Sequence, residues 1–156
     1  MEDYLVEGIL HHFHGLTGFD SMRCVSIEPG RVVMKSKAHS GLENIYGNIH
    51  GGSIMTLVDM TASAAGYSLG KHVITLSSNT NFVRALPING EDVKVVSEVV
   101  HNGRTTMIVE TKIYNPEGKV AVRNTTTMYT PKLVDPDEEI LKAPLAYDAD
   151  FRLEGE

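Results

Sequence analysis

The hydrophobic pattern of this chain switches between helical and strand periods in an order that predicts its architecture. Tyr4, Leu5, Ile9, Leu10 and Phe13 recur near helical spacing, which predicts a short amphipathic helix over residues 2–14 ended by Gly15 and Gly18. Met22–Ile27 and Arg31–Ala38 alternate, are rich in β-branched residues and flank Pro29-Gly30, the pattern of a β-hairpin. A polar, glycine-rich loop over 39–50 leads into a helix over 51–70 that Gly70 closes. Four strand-like runs follow: Val73–Val83, Asp92–His101, Thr105–Tyr114 and Lys119–Tyr129. Pro87-Ile88-Asn89-Gly90, Asn102-Gly103 and Asn115-Pro116-Glu117-Gly118 connect them. Asn-Gly as a two-residue loop between alternating runs is a strong hairpin signal, so the last three strands are expected to form an antiparallel meander. The predicted class is α+β, an antiparallel sheet packed on one long helix. Residues 1–20 read as an N-terminal helix of the same domain and 21–131 as its body. Residues 132–156, with Asp135-Pro136-Asp137-Glu138-Glu139, read as an acidic tail that wraps the surface or frays.

The long helix poses the chemical question. Ile54, Met55, Leu57, Val58, Met60, Ala62, Ala64, Ala65, Tyr67 and Leu69 leave almost no polar face, so it is expected to be buried nearly all round. Met55 and Met60 read as core. Thr56, Asp59 and Ser63, at i, i+3 and i+7, form the one narrow polar stripe. A solvent-facing stripe on so long a helix would carry Lys, Glu or Arg residues. This one has none beyond Asp59 before Lys71, which favours a sheltered, partly wet cavity. Burying an ionised carboxylate costs several kcal/mol without compensating partners. Asp59 is therefore a candidate for chemistry. Immediately upstream, His50-Gly51-Gly52 opens the helix; unpaired amides and the positive end of the helix dipole there favour a developing negative charge. Such an amide could hold an oxyanion, although a tight loop-to-helix turn also explains the glycines.

Composition narrows the partners. The formal net charge of −6 and a pI near 5.6 argue against a nucleic-acid surface or an anionic membrane. Cys24 is alone and reads as a small buried hydrophobe, in keeping with a reducing cytoplasm. The first 20 residues contain Glu2, Asp3 and Glu7 in place of a basic start and apolar run, so a cytoplasmic location is expected. His11, His12 and His14 lack the further ligands of a metal motif and read as surface residues, and no metal is expected.

The spacing Asn44-x2-Gly47-x2-His50-Gly51-Gly52-x6-Asp59 resembles the signature of the hotdog-fold acyl-CoA thioesterases, in the branch of PaaI and thioesterase superfamily member 2. The similarity continues through Thr75–Phe82 and the final hairpin, over roughly residues 20–130. It implies a long helix wrapped by an antiparallel sheet, and a homodimer or a tetramer of paired dimers with active sites at the subunit boundary. It implies that Asp59 is general base or nucleophile, that Gly51 N–H with Asn44 polarises the thioester carbonyl, that His50 orients the loop and that Ser77 positions water. Asn48 could take the place of Asn44. Gly52, Arg84, Asn102, Gly103 and Arg104 fall where the family contacts CoA, the arginines suiting its phosphates. No cofactor is implied, since CoA is part of the substrate.

The expected activity is hydrolysis of an aryl-acetyl or medium-chain acyl-CoA to free acid and CoA. A hotdog hydratase or dehydratase would carry a D-x-N-P-hydrophobic-H signature or a glutamate on the helix, and neither is present. A non-catalytic acyl-CoA-binding module remains the other alternative, and Asp59 favours hydrolysis over both.

Overall fold

The computed structural model describes residues 1–13, 19 and 21–137. Helix α1 (Asp3–Phe13) precedes the hairpin of β1 (Arg23–Glu28) and β2 (Arg31–Lys37). A single 3-10 turn (Ser40–Leu42) and a loop lead to α2 (Gly51–Tyr67), and β3 (Ile74–Phe82), β4 (Asp92–Asn102), β5 (Thr106–Tyr114) and β6 (Val120–Tyr129) follow. The strands form one antiparallel sheet in the order β1-β2-β4-β5-β6-β3. The expected α+β class and the β4-β5-β6 meander are both present. Pro29-Gly30 makes the first turn, with Gly30 at φ +78°, a conformation that L side chains avoid.

Helix α2 lies chiefly across β4 and β5 and buries Ile54, Leu57, Val58, Met60, Ala62, Ala64 and Ala65 against their inner faces. The approach is close at Gly66, where a Cβ would sit 2.7 Å from Val73 Cγ1 and 2.9 Å from Met107 Sδ. Cys24 is fully buried, as its type suggested, and burial pushes its thiol up to about 12. Among the described residues no helix is long and apolar enough to cross a membrane.

Three expectations change. Helix α2 ends at Tyr67, with Ser68 as its C-cap, and Gly70 at φ +73° turns the chain outside the helix by donating to Tyr67 O at 2.8 Å. Met55 is 46% exposed, so only Met60 is core. The β4–β5 connection turns at Arg104-Thr105, because Gly103 N–H donates to Thr106 O at 2.9 Å; Asn102 is still strand. Gly103 has no positive φ, and its lack of a side chain serves close approach, since a Cβ would lie 2.8 Å from Thr106 O. His14, Gly15, Gly18 and the tail beyond residue 137 lie outside the described residues.

Asp92, at the start of β4, ties three strands together: Arg23 of β1 donates to its Oδ2 at 2.5 Å and Lys37 of β2 lies 3.2 Å from Oδ1. Desolvation pushes this carboxyl up, but hydrogen bonds and charge from Arg23 and Lys37 outweigh it and hold the pKa below its ordinary value. A depressed folded-state pKa stabilises the fold above the unfolded value of about 3.9, and the contribution is lost as pH falls through the folded one. Asp92→Asn is therefore expected to lower stability at neutral pH by at most about 1 kcal/mol for so exposed a cluster. Urea melts should show that gap closing as the pH is taken below about 3.9. Gly66→Ala should cost about 1–3 kcal/mol at either pH, because the added methyl overfills the helix–sheet contact.

Candidate active site

The loop before α2 is built around Asn44. Its Oδ1 accepts from Tyr46 N–H at 2.9 Å and from Asn48 N–H at 3.1 Å, while its own N–H donates to Asn48 O at 2.8 Å. Gly47, at φ +77°, completes the turn. With Oδ1 occupied by two amides, the side chain presents its Nδ2 donor outward. Asn48 instead spends its Nδ2 on Tyr46 O at 3.4 Å. Asn44 thus keeps both Nδ2 hydrogens and Asn48 the one that Tyr46 O does not take.

His50 is the N-cap of α2, and its Nδ1 accepts from Gly52 N–H at 3.0 Å. This fixes the neighbouring amides: Gly52 N–H is committed to the cap, whereas Gly51 N–H has no acceptor among the described residues. A Cβ at Gly51 would meet Phe82 Cζ only at 3.6 Å, an ordinary contact, so this glycine is not there to relieve a clash. Asn44, Gly51, Phe82 and Arg84 share a cavity of about 320 Å³ beside the helix N-terminus.

Asp59 lies two turns further along α2. Thr75 Oγ1 of β3 donates to its Oδ1 at 2.7 Å, and Oδ2 has no partner among the described residues. Ser77 is not the neighbouring hydroxyl. A bulge between Thr75 and Ser77 shifts the register, so Thr75 pairs with the buried Met128 while Ser77 pairs with Thr127. Ser77 consequently lines the outer face of the sheet with Asn79, Asn81 and Arg123, away from α2. Alternation alone could not have revealed the bulge.

The basic residues are also divided. Arg84 follows β3, with its backbone N–H on Ala121 O at 3.0 Å and its Nη1 on Val120 O. Arg104 sits at the far end of the sheet, where Thr106 pairs with Tyr129 and Tyr129 with Ile74. About 25–30 Å of strand separates these ends. The two arginines therefore do not lie on adjacent strand ends, since β6 intervenes and they stand at opposite ends. Lys71, which sequence reasoning passed over, donates from Nζ to Asn102 Oδ1 at 2.6 Å and Gly103 O at 2.8 Å, so those oxygens are already engaged.

The chain thus carries two groups: Asn44, Gly51 and Arg84 at one end of β3, and Asp59, Thr75, Lys71 and Arg104 at the other.

Residues 46–122 match the profile of the thioesterase superfamily. A hypothetical thioesterase protein from Streptococcus pneumoniae, solved with coenzyme A, is 32% identical and superposes with a TM-score of 0.73 over 75% of this chain and 94% of its own. The chain belongs to the thioesterase superfamily. Its sheet and helix are the hotdog fold. A Streptococcus mutans protein solved with acetyl-CoA is 29% identical, with a TM-score of 0.73 over 80% of this chain and 99% of its own. Human acyl-coenzyme A thioesterase 13 is 28% identical over 92 residues, 58% of this chain. The chain spans 66% of that relative's length and 61% of a Bacillus subtilis esterase relative's. The pneumococcal thioesterase has also been solved with an aspartate and, separately, a threonine sixteen positions further on replaced by alanine. Asp59 and Thr75 have that same separation of sixteen.

The loop-closing role of the Asn44 side chain can be measured directly. Asn44→Asp keeps the Oδ1 acceptor and should retain slow hydrogen exchange at the Tyr46 and Asn48 amides. Asn44→Ala, which leaves both amides without their acceptor, should raise exchange at both.

Proposed function

We propose that the protein hydrolyses acyl-CoA thioesters to a carboxylic acid and CoA, with each active site assembled from two subunits. The observation that carries this reading is the Asp59–Thr75 pair on the polar stripe of α2. Thr75 pins one carboxylate oxygen and leaves Oδ2 to take a proton from water or to attack the carbonyl itself. The Gly51 amide, at the positive end of α2, and Asn44 Nδ2 supply hydrogen bonds to the oxygen that becomes negative. His50 acts by holding the Gly51-Gly52 amides in place. A thioester suits this apparatus, because its carbonyl carbon is electrophilic and the thiolate of CoA departs readily.

Distance supports sharing between subunits. Gly51 and Asp59 are eight residues apart on α2, about 12 Å along the axis. A carbonyl bond is about 1.2 Å long, so one chain's Gly51 and Asp59 are too far apart to act on the same group. Strand β3 offers the remedy. Among the described residues it pairs only with β6, and Ile74, Leu76, Phe82 and Val83 are all more than half exposed along it. An open apolar edge of this kind calls for a cover. Antiparallel pairing of two β3 edges about a two-fold axis would bring Asn44, Gly51 and Arg84 of one subunit to Asp59, Thr75 and Arg104 of the other. Arg84 and Arg104, from different subunits, would then flank the CoA phosphates, with Lys71 steadying the Asn102-Gly103-Arg104 turn.

Asp59→Asn is expected to retain the fold and oligomer but to lower thiol release from acyl-CoA by at least about a hundredfold. Near-normal turnover in that variant would sink the assignment. Mixing Asp59→Asn with inactive Asn44→Ala should restore part of the activity, because half of the sites in a mixed dimer carry both defects and half carry neither. No recovery in verified mixed dimers would count against shared sites.

A further inference from the structure

The two faces of the sheet use their polar side chains differently. Inside, these are spent on one another: Ser97 and Thr111 share a 2.6 Å hydrogen bond, and Asn124 Nδ2 donates to Ser78 Oγ at 2.8 Å and Thr80 Oγ1 at 2.9 Å. Outside, where β3, β6 and β5 run side by side, the register sets up short polar rows. Asn81 stands beside Arg123 and Lys112, Asn79 beside Thr125 and Glu110, and Ser77 beside Thr127. None of these side chains has a hydrogen-bond or ion-pair partner among the described residues. Together they line a cavity of about 560 Å³ on the side of the sheet away from α2.

Two features of this lining go against what a solvated sheet face favours. Lys112 and Arg123 are directly opposite each other, and like charges so placed destabilise a sheet, a cost that an anion held between them would remove. Asn is depleted in strands because its short amide competes with the backbone, yet Asn79 and Asn81 take successive outward positions of β3.

The lining also says what would fit. Among the described residues no aromatic or aliphatic side chain borders the cavity, so neither a nucleobase nor a hydrocarbon chain would find a partner there. The ammonium and guanidinium suit a phosphate, the Arg123 fork taking two of its oxygens. Glu110, two residues from Lys112 on the same face of β5, would repel a second anionic group and accept from a hydroxyl instead. With the amides of Asn79 and Asn81 and the hydroxyls of Ser77, Thr125 and Thr127, it supplies the mixture of donors and acceptors that a row of hydroxyl groups requires.

We propose that this cavity binds a sugar monophosphate, with the phosphate between Lys112 and Arg123 and the hydroxyls along Ser77, Asn79, Asn81 and Glu110. The sheet separates this site from Asp59, because outward and inward side chains alternate along β3. Edge pairing of two β3 strands uses backbone groups and leaves the outer face open.

Isothermal titration of the whole protein with glucose 6-phosphate, fructose 6-phosphate and ribose 5-phosphate tests the proposal, with glucose and inorganic phosphate as separate halves of the ligand. At least one sugar phosphate should bind about tenfold or more tightly than either half, since one charge-assisted hydrogen bond is enough to make that difference. Saturating CoA should not displace it, which separates this site from Arg84 and Arg104. Lys112→Gln with Arg123→Gln should weaken binding by at least about tenfold. Asn79→Thr with Asn81→Thr, residues better suited to a strand, should raise the melting temperature of the free protein yet weaken sugar phosphate binding and leave inorganic phosphate unaffected. A merely solvated face would show the gain in stability alone. Binding of all three sugar phosphates no tighter than inorganic phosphate, displacement by CoA, or affinity unchanged by loss of the two cations would overturn the proposal. So would sedimentation showing a tetramer that falls to a dimer on loss of the cations with no sugar phosphate bound, a result that assigns the face to a second copy of the chain.

Discussion

Helix α2 has a single way to bury its apolar surface, and the rest of the molecule follows from it. Its aliphatic side chains pack on β4 and β5, with Gly66 allowing the backbone to approach Val73 and Met107 closely. That seating leaves Asp59 beside β3, which among the described residues is paired along one edge only. The hydrophobic effect thus does more than stabilise the domain. It sets a carboxylate beside an open strand edge, where a hydroxyl from β3 can pin one of its oxygens.

The site's polar parts are shaped by hydrogen bonds that lie entirely within short segments. Asn44 closes its own loop with its side-chain oxygen and thereby fixes which of its atoms faces outward. His50 occupies Gly52 N–H and leaves that of Gly51. In both places a local bond removes one option and leaves a donor oriented without further support. Such preorganisation suits a reaction whose chemical demands are modest, since fixed dipoles need not reorganise as charge develops.

Much of this was legible in the chain. The element order, the hairpins, the apolar helix and the motif from Asn44 to Asp59 are local patterns, and local patterns survive folding when each agrees with the whole. The errors arose where one residue shifts a pattern. The extra residue near Leu76 moves Ser77 to the outer face and leaves Thr75 against Asp59, because side chains alternate and a slip of one reverses them. Asn102-Gly103 looked like a hairpin tip, yet the turn forms at Arg104-Thr105, with Gly103 placed for close contact with Thr106 O. Met55 has the composition of a core residue but stands on the side of α2 that its own chain does not cover.

The sequence by itself determined the class of fold and singled out Asp59 and the Asn44–Gly52 loop as candidates for chemistry, since these depend on periodicity and on spacing within a few turns of chain. Tertiary structure alone decided which hydroxyl meets Asp59, that Arg84 and Arg104 stand at opposite ends of the sheet, and that a row of polar side chains crosses its inner face from Ser97 to Thr80. The reason is physical. Strand order and register bring together residues tens of positions apart, and no local preference encodes either one.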